Sequence, residues 1–148
     1  QRQMCIRDST YIAGASMGGY GALVHAMKDT EQYRAVGAFS PATVWAKDLE
    51  EKVGHKFPEP MDLYQIIRDD VDAGKKLPDI FFCVGNNDFL IESVDRFEEY
   101  LNELKIDHRF DRVDGYEHEW RFWELELPEF LDWLPRTDSY AKMGKHKM

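Results

Sequence analysis

Gly14-Ala15-Ser16-Met17-Gly18 places a serine midway between two glycines. A serine hydroxyl is a weak nucleophile. It becomes effective when a strained turn holds it proud of the chain and a base lies within hydrogen-bond reach. The apolar run Tyr11-Ile12-Ala13 precedes this motif, and Leu23, Met27 and the small residues Gly21, Ala22 and Ala26 follow it. That succession reads as strand, tight turn and a helix packed closely on a sheet, the setting in which a GxSxG serine attacks acyl carbons. In this setting side chains at positions 14 and 18 are expected to collide with the turn. The Met17 N–H, at the start of the helix, is expected to donate to a developing oxyanion.

The candidate bases are His25, His55, His108, His118 and His146. When a serine of this kind opens the order, an Asp or Glu follows and a histidine comes last. Asp88 follows an apolar strand ending at Gly85, and His118 lies in a loop after a strand ending near Asp114. Both fall at the carboxyl ends of strands, where open α/β sheets build their sites. His118 is therefore the expected base and Asp88 the residue that orients it, with Glu92 the fallback. Asp79 precedes its strand and so lies at the wrong end of the sheet. His25 sits on the helix after Ser16, His108 begins a strand, His55 lies in an irregular stretch and His146 in the tail. His118-Glu119 opens like a zinc-binding HExxH, but Phe122 stands where the second histidine is required. Neither a metal nor a cofactor is expected.

The elements that must position these residues alternate. Strands are read at Tyr11–Ala13, Ala35–Phe39, Asp79–Gly85 and His108–Val113, with Phe110 and Val113 on the inner face. Helices are read over Met61–Val71, Ser93–Leu104 and Trp120–Leu134, besides the one after Ser16, with Pro128 bending or interrupting the last. Unalternating runs such as Ile80-Phe81-Phe82-Cys83-Val84 suit parallel strands buried on both faces. The fold class is α/β, a mostly parallel sheet with helices on both faces. Trp45, Phe57 and Tyr64 either cap a site or pack.

At 148 residues the chain suits one domain, with residues 135–148 a flexible tail. Hydrophobic residues make up 43% and charged residues 32%, which excludes a disordered chain. A net charge of -9 argues against nucleic acid and anionic membranes as partners. The apolar runs are far shorter than the roughly 20 residues of a membrane span. Two cysteines, Cys5 and Cys83, form no CxxC; Cys83 reads as a buried free thiol, and the usage suits a cytoplasmic protein. No apolar signal segment follows Gln1, and residues 1–9 read in part as non-native linker sequence. Nothing in the sequence sets the oligomeric state.

The segments Gly14-Ala15-Ser16-Met17-Gly18-Gly19-Tyr20-Gly21-Ala22, Gly85-Asn86-Asn87-Asp88-Phe89-Leu90 and Gly115-Tyr116-Glu117-His118-Glu119-Trp120 resemble the esterase D family of α/β-hydrolases. Its members include tributyrin, acetyl, feruloyl and acetyl-xylan esterases and S-formylglutathione hydrolases. The resemblance runs from Tyr11 to Leu134 and is nearest the tributyrin-esterase-like branch. S-formylglutathione hydrolases typically carry His where Tyr20 stands. The resemblance implies an α/β-hydrolase fold and hydrolysis of short-chain, small-molecule acyl esters through an acyl-enzyme on Ser16. Transfer to a sugar or thiol acceptor, or a chain that keeps the motifs without catalysis, are the alternatives. Tyr20 and Trp120 are the candidate substrate-binding residues. The family's N-terminal strands, which carry a second oxyanion donor, are expected to be missing here, so this chain alone is expected to be weak or inactive.

Overall fold

The computed structural model describes residues 10–43, 54 and 62–136. Strands and helices alternate through them: β1 (Tyr11–Ala15), α1 (Met17–Lys28), β2 (Ala35–Phe39), α2 (Leu63–Asp72), β3 (Asp79–Gly85), α3 (Ile91–Glu103), β4 (His108–Val113) and α4 (Trp120–Trp133). Trp45, Phe57, His55, Cys5 and His146 lie outside the described residues, as do residues 1–9 and 137–148.

The four strands form one parallel sheet in chain order, with Ala13 opposite Gly37, Gly37 opposite Phe81 and Phe81 opposite Arg109. Parallel neighbours in sequential order need crossovers of one hand, so the three connecting helices fall on one face. That face buries Val36, Ala38, Ile80, Phe82 and Val84 beneath Leu23, Met27, Ile67 and Phe97 of α1, α2 and α3. The other face buries Ala35, Phe39, Phe81 and Cys83 beneath Phe122 and Phe130 of α4. β2 and β3 are therefore apolar without alternation because both of their faces are covered. Phe82 is fully buried, stacked on Phe110 at 4.6 Å and meeting Phe97 edge-on at 5.3 Å. Burial of such a ring stabilises the fold by roughly 1.5–3 kcal/mol.

Local sequence explains the element ends. Asp62 accepts from the Tyr64 and Gln65 amides and so starts α2, a cap worth about 1 kcal/mol. Of the two effects expected of Pro128, a bend or an interruption, the interruption does not occur: α4 runs through it. The carbonyl that proline leaves without a partner belongs to Glu124, which is exposed and can be hydrated. Phe110 and Val113, both assigned to one inner face, divide between the two: Phe110 packs toward α3 and Val113 toward α4. Three residues apart on a strand, they must face opposite ways. Tyr64 is a packing residue, buried against Phe97 and Tyr100. Cys83 is a buried free thiol, and burial pushes its pKa well up.

Candidate active site

The chain leaves β1 and enters α1 through Ser16 alone. Its backbone sits at φ 57° and ψ -120°, a region that costs a non-glycine residue on the order of 1–3 kcal/mol. The strain is held by the neighbouring strand: Ser16 N–H donates to Phe39 O at 2.8 Å, and Ala42 N–H donates to Ser16 O at 3.1 Å. Gly14 permits the turn, since a Cβ there would lie 2.2 Å from the Gly18 carbonyl oxygen. The expectation of a matching collision at Gly18 fails, because a Cβ at that position meets nothing. The crowding is one-sided: the Gly18 backbone fills the space a side chain at 14 would need. Met17 opens α1 directly after Ser16, so its N–H belongs to the first turn, where donors lack intrahelical acceptors.

Asp88 follows β3 in a turn closed by its own N–H donating to Gly85 O at 3.0 Å. Its side chain is fully buried; Oδ1 accepts from Leu90 N–H at 2.8 Å, leaving Oδ2 for another partner. That partner is His118, whose Nδ1 lies 2.8 Å from Oδ2. The other ring nitrogen, Nε2, lies 2.9 Å from Ser16 Oγ. Residues 102 and 30 positions apart thus form one continuous hydrogen-bond chain. The carboxylate end fixes the tautomer, with the proton on Nδ1 and a lone pair on Nε2 facing the hydroxyl.

Two backbone contacts bring the Asp88 and His118 loops together. Asn87 N–H donates to Tyr116 O at 3.0 Å, and Asn86 N–H to Val113 O at 2.9 Å. Gly85 makes this approach possible, because a Cβ there would stand 2.2 Å from the Tyr116 oxygen. Glu92, the fallback acid, is exposed on α3, and Asp79 pairs with Arg34 at the far end of β3. His25 is exposed on α1, and His108 lies against Phe82 and Glu98.

Among the described residues the three most exposed large hydrophobic side chains are Met17, Phe89 and Trp120, at 79%, 77% and 74%. Each lies within two residues of Ser16, Asp88 or His118. An apolar rim around a polar centre suits an organic acyl group. Met17, for its amide, and Trp120, for its ring, are legible in the sequence; Phe89, whose ring lies 4.8 Å from that of His118, is not. Its signal is adjacency to Asp88 in a loop. Trp120 packs edge-on against Trp123 and lines a groove of about 270 Å³ with Ala13, Gly14, Ala15 and Phe39. Tyr20 lies half-buried on α1 against the main core; burial and the nearby Asp62 carboxylate raise its pKa, and a hydrogen bond with the Leu63 backbone lowers it.

On the α4 face, Glu126 is 3% exposed, with one oxygen unpartnered and the carboxyl facing Asp111. Burial, then repulsion from Asp111, lifts its pKa from 4.5 to about 7. Among the described residues no group of three or more His, Cys, Asp or Glu side chains could hold a metal ion, and no helix is long and apolar enough to cross a membrane.

Residues 2–134 match the model of a family described as putative esterase. An acetyl esterase from Caldicellulosiruptor saccharolyticus is 26% identical over 152 residues, covering 90% of this chain and 57% of its own. Among solved structures, an S-formylglutathione hydrolase of Staphylococcus aureus superposes with a TM-score of 0.73 at 24% identity, over 87% of this chain and 52% of its own. The fluorophosphonate-binding serine hydrolase F of the same organism, solved with substrate bound, superposes at 0.75 with 22% identity, over 87% and 55%. At these identities the two structures establish the α/β-hydrolase fold. The chain spans about half the length of the proteins it matches.

Proposed function

Since the chain belongs to the putative esterase family, we propose that its protein is a serine hydrolase of short-chain carboxylic esters, with Ser16 as nucleophile, His118 as base and Asp88 orienting the base. The observation that carries this reading is the hydrogen-bond chain from Ser16 Oγ through His118 to Asp88, with links of 2.9 and 2.8 Å. It is the arrangement a hydroxyl needs to become nucleophilic at neutral pH.

Ser16 Oγ attacks the ester carbonyl carbon while His118 Nε2 takes the hydroxyl proton. The imidazolium is stabilised by the buried Asp88 carboxylate. The carbonyl oxygen, now negative, accepts from the Met17 N–H and from a second donor in the part of the family domain that this chain does not span. Collapse of the tetrahedral intermediate breaks the bond to the alcohol oxygen, which leaves with the proton from His118. Water, deprotonated by His118, then attacks the acyl-Ser16 carbonyl; the acyl–Oγ bond breaks, Ser16 Oγ takes the proton back from His118, and the acid is released. Met17, Phe89 and Trp120 form the apolar surface against which the acyl and alcohol groups settle. The acetyl esterase relative supports short acyl chains.

Hydrolysis of p-nitrophenyl acetate, butyrate and octanoate by the complete gene product tests this reading. Acetate and butyrate are expected to be the better substrates, with Ser16→Ala losing at least 10³-fold in kcat/KM. Unchanged hydrolysis in Ser16→Ala contradicts it.

A further inference from the structure

His118 is held at both nitrogens, yet each hydrogen bond tolerates tens of degrees and leaves the ring some freedom to tilt. Among the described residues two rings lie against the imidazole: that of Phe89, which is exposed and 4.8 Å away, and that of Trp123. The Trp123 indole meets the imidazole at 5.2 Å and 89°. Trp123 is itself anchored: its Nε1–H donates to Ser40 Oγ at 3.0 Å. Ser40 is fully buried and sits at φ 44°, a left-handed conformation that strains a residue with a Cβ. Its own N–H donates to Cys83 O at 2.8 Å, which fixes it between β2 and β3.

The residue before Ser40 is Phe39, whose carbonyl accepts from Ser16 N–H. One end of β2 therefore anchors both the nucleophile, through Phe39, and the wall of the base, through Ser40 and Trp123. His118 and Trp123 enter from the loop before α4 and from its first turn, so this bond ties their shared element to the Ser16 turn.

We infer that Trp123 is a positioning residue, whose indole, locked to Ser40 Oγ, holds the His118 ring in the plane that keeps Nε2 on Ser16 Oγ. This rests on the reading of Ser16 and His118 given above. Loss of the anchor lets the ring tilt, which slows proton transfer. Trp123→Phe keeps an aromatic wall but removes the donor; Ser40→Ala keeps the indole but removes its acceptor. The two act on the same bond, so their effects must not multiply.

The test is inactivation of the complete gene product by a fluorophosphonate, resolved by intact mass into the limiting rate and the half-saturating concentration. Thermal melting of each variant is measured alongside. Each single substitution is expected to lower the limiting rate about tenfold, with half-saturation in Ser40→Ala within about twofold, and the double variant to match the slower single one. Unchanged rates in both folded single variants overturn the inference, as do losses that multiply in the double variant or a change confined to half-saturation. If Trp123→Phe fails to fold, Ser40→Ala decides alone by the same criteria. If the unsubstituted protein takes no label on Ser16, the nucleophile reading falls and this inference with it, an outcome distinct from normal labelling that is indifferent to Trp123.

Discussion

Replacing Glu126 by glutamine removes one buried titration and should flatten the pH dependence of stability. Glu126 lies on α4 over β3 and β4, facing Asp111, Arg109 and Cys83, with Glu129 one turn along its own helix. Its pKa rises from 4.5 to about 7, chiefly through burial and then through Asp111, while Arg109 pulls the other way. A carboxyl whose folded pKa exceeds its unfolded one is held more tightly protonated in the folded state. Stability is then greatest below the unfolded value and falls as pH rises from 4.5 toward 7. At about 1.4 kcal/mol per pH unit the full separation is worth roughly 3 kcal/mol. Because part of this separation belongs to the Glu126–Asp111 pair rather than to Glu126 alone, the expected loss is about 2 kcal/mol. The amide introduced by Glu126→Gln reproduces the protonated acid, since it can donate to Asp111 without acquiring charge. Thermal melts between pH 5 and 8 should show Glu126→Gln above the unsubstituted protein by about 4–8 °C at pH 8. The gap should narrow steadily toward pH 5. Parallel curves at every pH would refute the assignment of this titration to Glu126.

Three further outcomes follow from the same geometry. Asp88→Asn keeps the shape but lets the imidazole take the wrong tautomer, so kcat for ester hydrolysis should fall about 10⁴-fold while melting changes little; a loss under tenfold would separate Asp88 from catalysis. Gly85→Ala forces a Cβ to within 2.2 Å of the Tyr116 oxygen and should part the Asp88 and His118 loops, cutting kcat/KM at least tenfold; normal kinetics would show the contact to be dispensable. Phe97→Ala empties a fully buried site between Tyr64 and Phe82 and should cost about 3–5 kcal/mol in urea unfolding with kinetics of the folded protein unchanged.

Strands are legible in the sequence where burial on both faces writes them as unbroken apolar runs. β2 and β3 begin and end where that pattern does. β1 extends two residues beyond its apolar run, because Gly14 and Ala15 look like turn until the parallel pairing of Gly14 with Ala38 and Ala15 with Phe39 is seen. Ser16, Asp88 and His118 are legible because each stands at a strand's carboxyl end, a position the alternation of elements fixes. Trp123 and Ser40 are not, since nothing local in either segment announces that an indole on α4 will reach the end of β2. Phe89 is hidden by its own type, for an aromatic beside a strand end reads as core. The absence of crowding at Gly18 is equally illegible: only the backbone path decides which of two flanking glycines is the crowded one.

That Ser16 is the nucleophile and that His118 activates it is tested most directly by fluorophosphonate labelling of the complete gene product, followed by peptide mapping of the adduct. A single adduct on Ser16, absent in Ser16→Ala and formed at least 100-fold more slowly in His118→Ala, is the predicted result. An adduct on another residue, or undiminished labelling of Ser16 without His118, would contradict it.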